Sequence, residues 1–276
     1  MIMERMGAAP DTHSSLVASP ADRNAALTFM PAPLISVVLV CRNPGPRVRD
    51  ALASIWAQQE ADLEAVVIDG ASTDGTREWL ESRRNRLGTL VSEPDTGVYE
   101  AMNKGITAAR GDWVLFLGAD DRLATPDVFA QVADPVRRTA AGIVAATARF
   151  NDGRLYAPQP GAAIRRNFLH HQATFYRRLS FNQHGRFDPQ LRIQADYDLN
   201  LRWVRAGAGV TTLPHLVAHC GTGGLSDGGT WRNYREEITV RHRHFPPRQC
   251  WLWDLGSVAR YLRKKIRRSV ASHRPE

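Results

Sequence analysis

The stretch "LEAVVIDGASTDGTREWLESRRNRL", residues 63–87, changes character half-way along, and that change decides the fold. "LEAVVID" (63–69) reads as a strand, and a turn of small residues follows it. "DGTREWLESRRNRL" (74–87) then reads as a helix with Asp74 placed as its N-cap. A strand that passes through a short turn into a helix is the unit from which parallel α/β sheets are assembled.

The same unit recurs on both sides. Upstream, "LISVVLV" (34–40) is a continuous apolar, β-branched run of the kind buried on both faces of a parallel sheet. Residues 46–59 follow it with Val48, Leu52, Ile55 and Trp56 at helical spacing. Downstream, "TLVSE" (89–93) predicts a third strand, "VYEAMNKGITAA" (98–109) a third helix and "DWVLFLG" (112–118) a fourth strand. "TPDVFAQVADPVRR" (125–138) opens with a threonine cap and a proline at the first helical position. Such alternation gives an α/β fold class, a mostly parallel sheet flanked by helices. Ligands of such sheets bind outside the carboxyl ends of the strands. The informative residues are therefore those just after strands: Cys41-Arg42-Asn43, Asp69-Gly70, Glu93 to Gly97, and Asp120-Asp121.

After Gly142 the pattern loosens. "GIVAATARF" and "RLYAP" predict a hairpin around "NDG" (151–153), a type I′ turn signal. "HHQATFYRR" (170–178) fits a strand, and "QADYDLNLRWVRAG" (194–207) a helix closed by Gly207. "GTGGLSDGG" (221–229) reads as a mobile loop, and helices are expected over 230–244 and 254–270. Residues 1–33, rich in Ala, Pro, Ser and Asp, read as a disordered lead-in.

Bulk properties narrow the function. With 276 residues and 43% hydrophobic composition the chain can bury a full core. No apolar run approaches the ~18 residues of a bilayer span, and the N-terminus lacks the apolar region of a signal peptide. Cys41, Cys220 and Cys250 have no metal-type spacing, which fits a reducing cytoplasm. The net charge of +8 is carried entirely by residues 241–276, with ten Lys and Arg against two acids. A nucleic-acid enzyme would carry its positive charge along a groove of its body, so nucleic acid is not an expected partner.

"FLGADD" (116–121) ends a buried strand in two adjacent carboxylates, whose repulsion is tolerable when a hard divalent cation sits between them and a ligand's phosphates. The alternative for Asp121 is to start the following helix. Asp69 also ends a strand, where a carboxylate can accept a hydrogen bond from a base or ribose.

Taken together, "DGASTDGT" (69–76), "GVYEAMNKGI" (97–106), "GADD" (118–121), "ADYDLNLR" (195–202) and "GGLS" (223–226), in that order, resemble the inverting family 2 glycosyltransferases of GT-A fold. The longer "SEPDTGVYEAMNKG" is similar to the subgroup of bacterial surface-polysaccharide and colanic-acid-type assembly. The resemblance implies a nucleotide-diphosphate sugar donor, UDP- or GDP-linked, a glycan or lipid-linked acceptor, and Mg²⁺ or Mn²⁺. It places Asp69 at the nucleobase or ribose, Asp120 and Asp121 at the metal and ribose, and Asp196 as the base, with Asp198 as its competitor. Asn43, Asp95 and Asn103 become candidate donor contacts, and His219 a further candidate metal ligand; the alternative for Asp95 and Asn103 is to shape the turn. Lys104 would meet a phosphate or a surface ion pair.

Three positions depart from the family pattern. Gly118 replaces the first acid of Asp-x-Asp, Gly70 replaces an acid after Asp69, and "CRN" (41–43) replaces Thr-Tyr-Asn. His170 and His171 either touch the substrates or pack in the core; Arg202 either serves the site or pairs with nearby acids.

The expected organisation is a disordered segment 1–33, a GT-A domain 34–226 and a basic helical extension 227–276. Within the last, the basic amphipathic helix 254–270, with Trp251 and Trp253 close by, either contacts an anionic membrane from the cytoplasmic side through residues 251–270 or docks on its own domain. The rival functions are a sugar-nucleotide nucleotidyltransferase, for which "CRNPGPR" (41–47) is a poor phosphate loop, and a non-catalytic nucleotide- or glycan-binding module.

Overall fold

Strand β1 (Ile35–Cys41) is buried on both faces, as its apolar run requires, because sheet surrounds it. A computed structural model of the chain describes residues 32–59, 62–159, 164–222, 224 and 229–271. The disordered lead-in therefore falls outside the described residues but for its last two, and the "GGLS" segment outside them but for Gly224. Within the described part, β1 lies between β2 (Leu63–Asp69) and β4 (Trp113–Gly118), parallel to both, and β3 (Thr89–Ser92) extends the sheet beyond β2. The remaining strands are β5 (Arg122–Leu123), β6 (Ile143–Phe150), β7 (Leu155–Tyr156), β8 (Thr174–Arg177) and β9 (Val210–Cys220). They complete one mixed sheet of order β3-β2-β1-β4-β8-β6-β9-β5, with β7 paired to β6.

Alternate residues of β1 feed two cores. Val37 and Leu39 pack with helices α1 (Arg47–Trp56), α2 (Thr76–Glu81) and α4 (Val128–Arg138). Val38 and Val40 pack with α3 (Val98–Ala108), α5 (Ser180–His184), α6 (Ala195–Arg205) and α7 (Trp231–His244). The approach of α3 to β1 needs a glycine: a Cβ on Gly105 would overlap the Val38 side chain. Gly97, which starts α3, has φ 154°, a conformation that L side chains rarely adopt. The two glycines thus set how deep the helix lies and where its N-terminus points.

Several local expectations are corrected. Asp74 is not the N-cap of α2; Gly75 is, in the left-handed region at φ 87°. The Asp74 carboxylate instead accepts the N–H groups of Thr76 (3.1 Å) and Gly45 (2.7 Å), tying the β2–α2 turn to the loop after β1. Helix α4 begins at Val128, after the threonine and proline expected to start it. The hairpin at 151–153 is not type I′. Of its three loop residues only Gly153 has positive φ, and Phe150 pairs across the loop with Arg154, the pattern of a type I turn with a glycine bulge. His171–Ala173 form a 3₁₀ turn before β8 rather than part of the strand. Strand β9 was not anticipated: "VTTLPHLVAHC" is largely half-exposed, holds a proline and pairs with β6 through register shifts.

Helix α8 (Pro247–Ala271) begins seven residues before its predicted start and packs against α7. Arg241, 1% exposed, fastens the pair. Its guanidinium donates to Glu237 (2.9 Å), Asp254 (2.8 Å), Ser257 Oγ (2.7 Å) and the Arg165 carbonyl (2.9 Å). A cation buried this deeply is tolerable because carboxylates and hydrogen bonds surround it. Among the described residues no helix is long and apolar enough to cross a membrane.

Candidate active site

The parallel registry brings the informative residues level. Cys41 lies beside Asp69, Asp69 beside Ser92, and Val40 beside Gly118, so the carboxyl ends of β1 to β4 form one rim. Beside that rim is a cavity of about 400 Å³, lined by Gly118, Asp120, Asp121, His171, Arg192 and Asp196 among others.

Asp196 stands in the first turn of α6 and is 6% exposed. Its Oδ1 accepts the Tyr197 N–H (2.8 Å), and its Oδ2 accepts Asn167 Nδ2 (2.8 Å) with His171 Nδ1 at 3.3 Å. Tyr99 OH is 3.4 Å from Oδ1 but only 2.7 Å from the Ile193 carbonyl, and its single proton goes to the nearer acceptor. Burial, with Asp196 nearby, pushes the Tyr99 hydroxyl well above its usual range, so it stays a neutral donor. The carboxylate is thus held by an amide, a backbone N–H and an imidazole while it lines the cavity.

Asp198 faces elsewhere. It does not line the cavity, and its oxygens meet Arg202 Nε (2.9 Å) and His244 Nε2 (2.9 Å). Burial raises its carboxyl, but the His244 and Arg202 hydrogen bonds outweigh burial and hold it below the usual carboxylate range. Of the two acids on α6, Asp196 reaches the cavity and Asp198 is a structural ion-pair partner. Arg202, its partner, also binds the His184 carbonyl at 2.6 Å.

The acidic pair after β4 divides its work. Asp121, 4% exposed, accepts the N–H of Gly118 (2.8 Å) and of Gly221 (3.1 Å), while Asp120 is exposed beside it. Burial raises the Asp121 carboxyl, the Gly118 N–H opposes this, and the charge of Asp120 raises it further. His171 is close enough to lower it and also contacts Asp196, so this histidine links the two halves of the site. His170 stacks on His171 with ring centroids 5.4 Å apart, edge-on to Phe150 and Tyr156.

His219 does not join the pair. It sits on β9 opposite Arg122 and Arg149, and burial with those two cations lowers its pKa. Its neighbours on the sheet are cations, which do not favour a metal ion beside it. Among the described residues no three His, Cys, Asp or Glu stand ready to enclose a metal. The remaining donor set still suits a hard ion that keeps waters and phosphate oxygens as ligands, because Asp120 is an exposed carboxylate and Asp121 stands buried beside it.

Asp69 lies where expected, at the end of β2, but is wholly buried. Its carboxylate accepts the Ser72 N–H (3.1 Å), the Ser72 hydroxyl and the Ser92 hydroxyl (2.7 Å). In this structure it shapes the turn. Ser72 in turn receives the Asn43 N–H (2.8 Å), and Asn43 Oδ1 receives the Thr73 N–H (2.7 Å), so Asn43 locks the first two loops together. Asn103 does not line the cavity; both ends of its amide bind the Phe187 main chain, at 2.9 and 3.1 Å. In this structure it braces α3 against residue 187. Lys104 takes the ion-pair option, with Glu93 at 2.8 Å and Glu100 at 3.5 Å.

The glycosyl transferase family 2 model matches residues 36–190, more than half of the chain and the whole of the rim. The chain belongs to glycosyl transferase family 2. It is 34% identical over 209 residues to a PGL/p-HBAD biosynthesis glycosyltransferase of Mycobacterium tuberculosis, covering 72% of this chain and 81% of that one. Among solved structures it resembles S. aureus TarS 1–349 in complex with UDP-GlcNAc, with a TM-score of 0.60 and 18% identity over 78% of this chain and 69% of that one. It also resembles a mannosyltransferase of Pyrobaculum calidifontis in complex with GDP-Man and Mn²⁺, with a TM-score of 0.60 and 20% identity over 92% and 82%. These likenesses give the GT-A fold, and family membership makes the chain a glycosyltransferase.

The departures of this family 2 enzyme from the common pattern have local causes. A Cβ on Gly70 would collide with the Asp95 carboxylate and lie 3.3 Å from Arg42, so Asp95 occupies the space where an acid at 70 would begin. A Cβ on Gly118 would stand 3.0 Å from oxygens of both Asp120 and Asp121, so glycine lets both carboxylates fold back over the strand end. Asn167, Tyr99 and Arg192 were missed by sequence reasoning as site residues. Asn167 and Arg192 lie on irregular segments with no periodic pattern, and Tyr99 reads as an ordinary apolar position of α3.

Proposed function

We propose that this glycosyltransferase moves a sugar from a nucleotide-diphosphate donor to a hydroxyl of a lipid-linked glycan, with inversion, in surface polysaccharide assembly. The observation that carries the reading is one cavity lined by Asp196 together with Asp120 and Asp121. An acceptor hydroxyl is a poor nucleophile until a carboxylate takes its proton. In the proposed step the acceptor oxygen bonds to C1 of the sugar, and its proton passes to Asp196. The bond from C1 to the diphosphate oxygen breaks, and the nucleoside diphosphate leaves with the electron pair. A single displacement turns an α-linked donor into a β-linked product.

Asn167 and His171 hold Asp196 at the cavity, and α6 fixes its position. Asp120, backed by Asp121, would hold Mg²⁺ or Mn²⁺ together with the donor's phosphates. When bound, the ion would stabilise the charge that develops on the leaving diphosphate. Asp95 and the turn built on Asp69, Ser72 and Asn43 would form the nucleoside end of the site. The TarS and mannosyltransferase complexes with UDP-GlcNAc and GDP-Man support donors of this class. The PGL/p-HBAD relative supports a role in a biosynthetic glycosylation.

Calorimetry with UDP and GDP, with and without Mn²⁺, tests the reading. Binding of one of them that strengthens with Mn²⁺, with that strengthening reduced in Asp120→Asn, supports it; no metal-dependent binding of either would overturn it.

A further inference from the structure

Helix α8 has two faces, and among the described residues the fold packs on one of them. At about 100° per residue, Cys250, Trp253, Ser257 and Tyr261 share one side. Cys250 and Ser257 are fully buried, Trp253 packs on Phe245, and Tyr261 packs on Trp231 and Tyr234 of α7. Trp251, Leu252, Leu255, Ala259, Leu262 and Ile266 fall within an arc of about 100° centred almost opposite, over a length of about 22 Å. The five large side chains of that arc are 49% to 63% exposed. An apolar stripe this continuous is uncommon on a surface that meets only water.

Its rim is basic. Arg263, Lys265 and Arg267 are all exposed and flank the stripe, in the segment that carries the chain's whole net charge. A second copy of the helix laid on the first would set these cations against one another. An anionic surface would pair with all of them. Since no described helix can cross a bilayer, the helix would lie on the membrane rather than span it.

We infer that the outward stripe of α8 docks the protein on an anionic lipid bilayer, with Trp251, Leu255, Leu262 and Ile266 entering the headgroup region and Arg263, Lys265 and Arg267 meeting lipid phosphates. This deepens the proposed function, on which it rests only for its purpose: to hold the enzyme where a lipid-linked acceptor resides. Tyr261 on the buried side touches Trp231, whose neighbours Thr230 and Arg232 line a second cavity of about 430 Å³. That cavity shares Val98, Tyr99, Arg192 and Ile193 with the first. Docking through α8 would thus anchor the molecule beside the route to Asp196.

The test is vesicle co-sedimentation of the full chain, using phosphatidylcholine vesicles with and without phosphatidylglycerol, at low and high salt. The expected result is binding to the anionic vesicles, weakened about tenfold or more by salt, because exposed cations act only within a Debye length. The triple variant Leu255→Glu, Leu262→Glu, Ile266→Glu changes only exposed side chains and should lose the binding while keeping its melting temperature and Mn²⁺-dependent nucleotide binding. Equal vesicle binding by the triple variant, or none by the native chain, would overturn the inference. So would a native dimer, seen by light scattering, that the triple variant converts to a monomer. Nucleotide calorimetry on the same samples separates these failures from a failure of the glycosyltransferase reading.

Discussion

The two faces of helix α6 carry one carboxylate each, two residues apart, and the protein treats them in opposite ways. On the cavity face, Asp196 is held by an amide, a backbone N–H and an imidazole, and it lines the site. On the far face, Asp198 is held by Arg202 and His244, with Arg243 at 3.7 Å, and serves to lock α6 to the chain around it. A carboxylate surrounded by cations has its lone pairs committed. One that lines a cavity can be reached by a substrate's proton. The contrast teaches that position along a helix says less about a base than the chemistry of the groups that hold it.

Breaking each side of the contrast gives different losses. The largest belongs to Asp196→Asn, which should lower kcat by roughly 10²–10⁴-fold while donor binding, read by calorimetry, is retained. Asp120→Asn should weaken Mn²⁺-dependent nucleotide binding by about tenfold or more, leaving metal-free binding and melting temperature close to native. Asp198→Asn should leave turnover per folded molecule near native but cost on the order of 3 kcal/mol of stability, measured by urea unfolding at neutral pH, because Arg202 and His244 lose their partner.

That last difference has a pH signature. The folded-state carboxyl of Asp198 lies below its unfolded value, so its contribution is fully present above the unfolded value of ~3.9 and is lost as pH falls through the folded one. The stability gap between native protein and Asp198→Asn should therefore narrow in acid below about pH 4. The smallest effect is expected at Asn103→Ala: about 1–2 kcal/mol of stability from two lost hydrogen bonds to Phe187, with nucleotide binding unchanged.

The two halves of the chain were unequally legible. From β1 to β4 the pattern of apolar runs and helical spacing gave strand ends, the parallel sheet and the rim, because short right-handed crossovers leave few alternatives. Within that half, what escaped was side-chain commitment. Asp69, Asn103 and Lys104 lie on the strand and helix that the sequence predicts, yet hydrogen bonds to Ser72, to Phe187 and an ion pair to Glu93 could not be read from spacing. Beyond Gly142, β9 was invisible because a half-exposed strand with a proline and register shifts has neither a clean alternation nor a continuous apolar run. Asn167 was invisible for a different reason: it reaches Asp196 from a loop, 29 residues away in sequence. His171 was singled out beforehand as either substrate contact or core residue, and the structure sets it between Asp121 and Asp196.

The most direct test of the account sets the two faces of α6 against each other in one assay. Transfer to a lipid-linked acceptor is measured for the native enzyme, Asp196→Asn and Asp198→Asn, each normalised to folded, donor-binding sites. The account predicts that Asp196→Asn binds donor and transfers almost nothing, while Asp198→Asn transfers at a near-native rate per folded site. Sustained transfer by Asp196→Asn, with Asp198→Asn folded, donor-bound and inactive, would contradict it.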